Sequence, residues 1–425
     1  MTVAPDRDAA QKDPATGKTP RRERLALTFI LVTLAIDAMG IGLILPVMPD
    51  LIGEVSGGTL ADAALWGGVL ATSYAVMQFL FGPVLGSLSD RYGRRPVLLV
   101  SLGVMALDYL VMALTQSIWL LLAARIVGGI AAAQQATARA FIADISTDAQ
   151  RAARFGLVGA AFGVGFVFGP LLGGLLGELG TRAPFWAAAA LATANLILGA
   201  LVLPETVTDR IRRPFRLGRA NPFGAFAHVG RLPGVGRLLV VYFLYEFAFI
   251  VYPAIWAFFT QARFGWQPST IGLSLALFGI AIGAVQGGLI RLFLRVLGER
   301  GTVIYGLAFN FCAFLAMALV QAGWLGLVLI PLTALGAVVT PALQSMMSAK
   351  AGADGQGELQ GVVASTRSVA MILSPLVMTG VFFAFTREGG AIWFPGAPFL
   401  VAMALMVVCG VVYVARPRAM PAPAE

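Results

Sequence analysis

The sequence predicts an all-α membrane protein with twelve transmembrane helices in two bundles of six. Hydrophobic residues make up 58% of the 425 residues and charged residues only 12%, whereas soluble domains carry about 25% charged residues to cover their cores. Since a spanning helix needs about 20 apolar residues, a chain of this length holds about twelve spans. One polar interval, roughly 204–237, divides them into two sets of six.

Each span is predicted from an apolar run bounded by charged or turn-forming residues. Numbered in chain order, spans 1 to 12 are 25–50, 64–88, 96–116, 118–144, 155–178, 184–203, 238–260, 269–290, 302–321, 324–348, 359–385 and 391–415. The predicted domains are an N-terminal tail (1–24), a six-helix bundle (25–203), a basic linker (204–237), a second six-helix bundle (238–415) and a C-terminal tail (416–425).

The polar tail before Leu25 is predicted to be a cytoplasmic segment that precedes a retained first span. A signal peptide has a short apolar core and a small-residue cleavage site. Here the first apolar run is longer and contains Asp37 and two prolines. We therefore expect this run to stay in the membrane.

The distribution of lysine and arginine predicts the orientation of the chain. With the N-terminus inside, 24 of the 30 cationic residues fall on the inner side, and three more fall within spans. The outer loops hold only Arg182, Arg263 and Arg387. Under the positive-inside rule, both termini are cytoplasmic, and the chain is predicted to be a multi-pass protein of the cell (inner) membrane.

The net charge of +9 does not indicate nucleic-acid binding, because the cations lie in loops where they meet anionic lipid head groups. Cys312 and Cys409 lie inside apolar runs, without metal-ligand or disulfide spacing. No nucleophile–base set, metal cluster or phosphate-binding loop is visible in the sequence. We therefore expect no enzyme activity, no cofactor and no metal site, and membrane lipids as the chain's surroundings.

Four ionisable residues fall deep within spans, where an unpaired charge is costly. Three of them lie in the N-terminal half, and the fourth is Glu246 of span 7. Asp37 lies near the middle of span 1. Asp108 in span 3 and Arg125 in span 4 lie at matching depth, because the two spans run antiparallel. We predict that they form an ion pair, which either fixes the two helices together or places Asp108, like Asp37, in contact with a proton or a ligand.

Glu246 is the acid that span 7 contributes, and no arginine or lysine lies near it within that span. It is predicted either to exchange a proton or contact a ligand, or to make a hydrogen-bonded helix contact. Arg139 and Arg367 are predicted to extend towards the inner surface. His228, in the linker, is predicted to be solvated.

The loop between spans 2 and 3 carries a specific motif. The segment Gly86-Ser-Leu-Ser-Asp90-Arg91-Tyr-Gly93-Arg94-Arg95 matches GxxxDRxGRR, the signature of the major facilitator superfamily in this position. We expect Gly86 to permit close helix approach, and Asp90 to meet arginines and a helix N-terminus across the interface of the two bundles. A loop that only set the topology would need the arginines but neither glycine nor aspartate.

Span 5 contains a second motif, Gly163-Val-Gly165-Phe-Val-Phe-Gly169-Pro170-Leu-Leu-Gly173-Gly174. It resembles the antiporter motif of drug–proton exchangers of the same superfamily. Its glycines recur at every fourth position, which predicts a smooth stripe for tight helix packing, and packing alone is the alternative interpretation. In span 4, Arg125-Ile-Val-Gly128-Gly129 resembles the arginine motif of that group.

Within the superfamily, the chain resembles the tetracycline efflux proteins. Asp37-Ala-Met-Gly-Ile-Gly-Leu-Ile-Leu-Pro46 is similar to their opening motif, and the later matching segments follow in the family's order. Two residues depart from the family pattern, since Ile282 and Asn310 stand where a histidine and an aspartate are usual. Glu246 stands where the family usually has an uncharged amide. The resemblance therefore implies membership without fixing tetracycline as the substrate.

The resemblance implies a monomeric secondary transporter that exports a drug-like small molecule in exchange for protons, by rocking two halves around a central site. The alternatives are a proton-coupled exporter of an endogenous metabolite or natural product, and a receptor or scaffold without transport. The expected cavity residues are Asp37, Gln78, Asp108, Arg125, Glu246 and Asn310.

Overall fold

The computed structural model describes residues 20–132, 134–207, 221–224, 226, 232, 234–352 and 355–415. The C-terminal tail, nearly all of the N-terminal tail, and most of the linker with His228 lie outside the described residues. The described secondary structure is helical, as predicted from the sequence. Eleven helical segments are long and apolar enough to cross a membrane.

The first six spans form the N-terminal half. Their helices are Pro20–Ile44 with Met48–Ser56, Leu60–Tyr92, Arg94–Leu114, Ile118–Ala131 with Gln134–Asp144, Asp148–Gly177 and Ala183–Val202. Spans 2 and 5 begin with capping boxes, in which Thr59 pairs with Asp62 and Thr147 pairs with Gln150. These reciprocal hydrogen bonds satisfy amides that a helix start leaves free.

The last six spans form the C-terminal half. Their helices are Gly236–Phe249 with Val251–Phe264, Pro268–Ala284 with a π-helical turn at Val285–Leu289, Ile290–Leu319, Gly323–Thr333 with Val339–Ala351, Gln356–Thr386 and Ala397–Val414. The helix Ile290–Leu319 is interrupted at Gly298, where φ is 67°. The 52-residue segment Pro268–Leu319 is therefore spans 8 and 9, which brings the described crossings to the twelve that the sequence predicts.

A glycine followed by charged residues recurs in the two halves, as Gly93-Arg94-Arg95 after span 2 and Gly298-Glu299-Arg300 after span 8. Gly93 ends span 2 with φ of 112°, and Gly298 ends span 8 with a positive φ as well. Glycine accepts this conformation without the steric penalty that other residues incur. The same turn thus follows the second span of each half.

The two ends of the bundle differ in composition. One end, which we call the arginine-rich end, carries Arg91, Arg94 and Arg95 after span 2. The opposite, arginine-poor end carries four exposed tryptophans: Trp119, Trp186, Trp324 and Trp393. Tryptophan concentrates at membrane–water interfaces, so these side chains mark the level of one membrane surface.

The halves contact each other from the arginine-poor end to about mid-depth. Spans 5 and 8 pack backbone to backbone, since a Cβ on Gly174 would lie 2.5 Å from the Pro268 carbonyl oxygen. Spans 2 and 11 meet through the Thr72 hydroxyl, which donates to the Ile372 carbonyl at 2.8 Å. Gln261 donates to Asp50 across the same end at 2.9 Å.

Towards the arginine-rich end the halves separate. Gly82 and Gly86 of span 2 and Gly159 of span 5 have open space where a Cβ would point. Gly86 is expected to permit close helix approach, but in this conformation no neighbouring atom lies within 4 Å of the position that its Cβ would occupy. The described contacts between the halves thus lie towards the arginine-poor end, and we interpret the open space beside these glycines as a cleft that opens towards the other end.

Candidate functional site

The ion pair predicted between spans 3 and 4 is present in the N-terminal half. Arg125 Nη2 donates to Asp108 Oδ2, and both residues are buried. The Arg125 guanidinium also lies over the Tyr74 ring of span 2, 5.1 Å from its centroid. Such a cation–π contact stabilises a desolvated cation. The pair therefore connects three spans.

Glycines of span 4 make room for this arrangement. A Cβ on Gly128 would lie 2.9 Å from Asp108 Oδ2, and a Cβ on Gly129 would lie 2.5 Å from the Tyr74 carbonyl oxygen. The Arg125-x-x-Gly128-Gly129 motif thus supplies the cation and the space for its acid together. Substituted glycines would push the acid or span 2 away.

Asp37 and Gln78, the other two residues predicted for the cavity in this half, are half-buried. Asp37 is within electrostatic range of the Tyr74 and Tyr109 hydroxyls. Gln78 follows Tyr74 by one helical turn on span 2. The structure thus groups Asp37, Asp108 and Arg125 with Tyr74 and Tyr109, two tyrosines that are not among the predicted cavity residues.

Glu246 has two partners that the sequence did not predict. Its Oε1 accepts a hydrogen bond from Thr340 of span 10 at 2.7 Å. Its Oε2 lies 3.4 Å from Arg367 Nε of span 11. The bond to Thr340 is a helix contact of the kind given as one alternative for Glu246. The arginine comes from another span, because spans 7 and 11 both start at the arginine-rich end and place the two residues at matching depth.

Asn310 does not line the cleft, contrary to the prediction. Its side chain is fully buried, and Nδ2 donates to the Gly306 and Gly336 carbonyls at 2.8 and 2.9 Å. Span 10 turns through a 3₁₀ helix at Ala334–Val338, which frees carbonyls from regular α-helical bonding. Asn310 satisfies one of them, so its role here is structural.

The loop motif makes its contacts within the N-terminal half. Arg94 forms ion pairs with Asp90 and with Asp144 at the end of span 4, the latter at 3.1 Å. Arg95 donates to the Ala200 carbonyl at 2.7 Å, and Arg91 lies over the Tyr92 ring. The expected contacts of Asp90 across the interface are absent from the described residues, because the cleft is open at this end.

Glu205, the second residue of the linker, caps span 3. Its carboxylate accepts hydrogen bonds from the Arg94 and Arg95 amides at 2.9 and 3.2 Å. A negative charge at a helix N-terminus is favourable. A Cβ on Gly93 would collide with this carboxylate, so both space and backbone conformation require glycine there. The sequence signal for this cap was the acidic residue of the Pro204-Glu205-Thr206 segment, which directly follows span 6.

The span-5 motif packs against both halves. Gly165, Gly169 and Gly173 lie directly against the backbone of span 1, at Ala35, Met39 and Leu43 respectively. On the other face, Gly174 and Pro170 contact span 8. The glycine stripe is therefore a packing surface, as the pattern predicts, and it forms part of the interface between the halves.

This stripe yields a direct test. We expect Gly173→Ala to lower the melting temperature of the purified protein, because the added methyl group meets the Leu43 backbone and overpacking costs about 1–3 kcal/mol. Gly163→Ala is the matched control in the same helix, where open space surrounds the glycine and alanine favours the helix. Equal melting temperatures for the two variants would show that spans 1 and 5 can move apart freely.

Comparison with known proteins places these features in a family. Residues 30–375 match the sequence model of the Major Facilitator Superfamily. The chain is 42% identical over 386 residues to the class C tetracycline resistance protein of Escherichia coli, which covers 90% of this chain and 95% of that protein.

Two solved structures share the fold. The human organic anion transporter MFSD10 superposes with a TM-score of 0.67 at 26% identity, covering 93% of this chain and 100% of that one. A bacterial homologue of the human lysosomal transporter Spinster superposes with a TM-score of 0.75 at 17% identity, covering 93% and 97%.

Proposed function

The chain belongs to the major facilitator superfamily, together with the tetracycline resistance proteins, and from this premise we propose that it exports an amphiphilic, tetracycline-type compound in exchange for protons. Members of the superfamily are membrane transporters of small molecules and not enzymes. The observation that carries the proposal is the 42% identity to a tetracycline resistance protein across nearly the whole of both chains.

We place the arginine-rich end in the cytoplasm of the cell, on the basis of the positive-inside rule. Both termini are then cytoplasmic, and the cleft is open to the cytoplasm and closed to the outside. Transport would proceed by rocking the halves so that the cleft closes at Gly82 and Gly86 and opens at the opposite end. Asp90 would gain its contacts across the interface only in that second conformation.

A single chain supplies both ion pairs and the cleft between them, which supports a monomeric transporter. The N-terminal half contributes Asp37 and the Asp108–Arg125 pair. The C-terminal half has Ile282 and Asn310 in place of the titratable residues usual in the family, and Asn310 is fully buried. Glu246 is therefore the candidate in that half for binding a proton or the substrate.

The proposal is tested by expressing the chain in a pump-deficient bacterial host. We expect tetracycline susceptibility to fall, and everted vesicles to accumulate tetracycline when their interior is acidified. Adding the compound should release protons from the vesicles, because each exported molecule enters in exchange for protons leaving. Uptake that survives collapse of the proton gradient would contradict proton coupling, and unchanged susceptibility and uptake would exclude tetracycline as the substrate.

Export of an organic anion, including an endogenous metabolite, is the second candidate. The observation that favours it is the exposed guanidinium of Arg367, together with the likeness to a structure described as a human organic anion transporter. A panel of anionic and cationic amphiphiles in the same vesicles separates the two candidates.

A further inference from the structure

The ion pairs of the two halves differ in how far water reaches the arginine. In the N-terminal pair, the side chains of Arg125 and Asp108 are 10% and 1% exposed. In the C-terminal pair, the side chain of Glu246 is 10% exposed, but that of Arg367 is 61% exposed. One pair is enclosed by helices, whereas the other combines a buried acid with an accessible base.

The exposed part of Arg367 lies in the cleft. Arg367 is eleven positions, or about 16 Å along the axis, from the start of its 31-residue helix at Gln356, which places it within the half of the hydrocarbon layer nearer the arginine-rich end. A guanidinium facing lipid at that depth would be costly. Its neighbour Glu246 is held towards the interior by Thr340 of span 10, so the guanidinium borders the open space between the halves.

The contact between the two residues is a single one. Arg367 Nε approaches Glu246 Oε2 at 3.4 Å, which is longer than a typical charge-assisted hydrogen bond. Thr340 holds the other carboxylate oxygen at 2.7 Å, and Tyr242 and Tyr245 face Glu246 from its own span. The carboxylate therefore keeps its position when Arg367 moves away.

We propose that Arg367 is a displaceable counterion, which neutralises Glu246 while the cleft is empty and gives way to a cationic group of the transported compound. A carboxylate that stays ionised within the membrane is stabilised by a positive partner, so a group that replaces the guanidinium without protonating Glu246 carries positive charge. The displaced guanidinium remains solvated in the cleft, so its displacement costs little free energy. The inference rests on the proposed export function and specifies that the group of the substrate bound at Glu246 is cationic.

An anion that approached Arg367 would have to compete with a carboxylate already fixed beside it. Glu246 would then stay buried without a counter-charge. The geometry therefore favours a cation at Glu246 over an anion at Arg367.

Two ions of the same size and shape but opposite charge test whether the site binds a cation or an anion. Tetraphenylphosphonium is a permanent cation, and tetraphenylborate is its anionic counterpart. Binding of each is measured by equilibrium dialysis against the purified chain in detergent, without a gradient or flux. The variants are Arg367→Gln, Arg367→Lys and Glu246→Gln, with Arg139→Gln, which removes another exposed arginine, as the matched control.

We expect Arg367→Gln to bind tetraphenylphosphonium about fivefold more tightly than the unmodified chain, which corresponds to removing a competitor worth about 1 kcal/mol. Arg367→Lys and Arg139→Gln should bind tetraphenylphosphonium as tightly as the unmodified chain does. Glu246→Gln should bind it more weakly, because the carboxylate that attracts the cation is gone. Arg367→Met, which keeps the aliphatic stem, replaces Arg367→Gln if that variant is not monodisperse.

Unchanged or weaker cation binding by Arg367→Gln would overturn the proposal, and so would cation binding that survives Glu246→Gln. Tetraphenylborate binding that is lost in Arg367→Gln would identify an anion site instead. Because binding is measured without transport, a negative result here leaves vesicle uptake of tetracycline standing. Failed uptake, in turn, leaves the binding result standing.

Discussion

Asp108→Asn is expected to destabilise the protein by about 3–5 kcal/mol, because it leaves Arg125 as a buried cation without its acid. The described residues offer no hydrogen-bond partner to Arg125 Nε or to Asp108 Oδ1, so each charge depends on the one bond between them. The Tyr74 ring offers Arg125 only a weaker contact. The melting temperature and the yield of folded protein in detergent measure the loss.

The double variant Asp108→Asn with Arg125→Gln should recover part of that stability, since no buried charge is then unmatched. Glu54→Gln is the matched control for the change of carboxylate to amide. Glu54 lies 3.7 Å from Arg182 in a partly exposed ion pair, and such pairs contribute less than about 1 kcal/mol. If the double variant is no more stable than Asp108→Asn alone, the two residues are not energetic partners.

The helices and the N-terminal pair could be predicted because their signals are local. Apolar runs of the required length and the counts of arginine in the loops give the spans. Two residues at equal depth in consecutive antiparallel spans are neighbours by geometry, which places Asp108 beside Arg125. Gly93 and Gly298 could be recognised as equivalent from their following residues, and their positive φ values agree with that.

The C-terminal pair could not be predicted because its members are 121 positions apart, as Glu246 and Arg367, on spans that are not consecutive. Equal depth on spans 7 and 11 is insufficient, since the sequence does not state which helices touch. The same limit applies to Glu205, whose carboxylate reaches the start of span 3 from the end of span 6. The burial of Asn310 depends on a 3₁₀ turn in span 10 that apolar periodicity does not reveal.

Asp108 and Glu246 are expected to respond differently to replacement by the amide. Both have an arginine partner, so pairing does not distinguish them. What distinguishes them is that the side chain of Arg125 is only 10% exposed, whereas that of Arg367 is 61% exposed. A solvated arginine tolerates the loss of its partner, because water replaces the contact, and the energy of such a pair is screened.

Glu246→Gln should therefore abolish gradient-driven accumulation while barely affecting stability, the reverse of the balance expected for Asp108→Asn. The amide still accepts the hydrogen bond from Thr340, so the free energy of unfolding should change by less than about 1 kcal/mol. Without the carboxylate, neither a proton nor a cationic group can be held at this position. Loss of a charged contact worth about 1.5–3 kcal/mol lowers affinity by about 10- to 150-fold.

Everted vesicles and melting temperatures, measured on the same preparations of both single variants, separate the two roles. Glu246→Asp is the matched control, because it keeps the charge with a shorter reach and should retain part of the accumulation. If Glu246→Gln instead lowers the melting temperature as far as Asp108→Asn does, its partner is enclosed during the dominant conformation. Normal accumulation by Glu246→Gln would indicate that Asp37 and Asp108 bind the transported protons, because the transport cycle would then run without the Glu246 carboxylate.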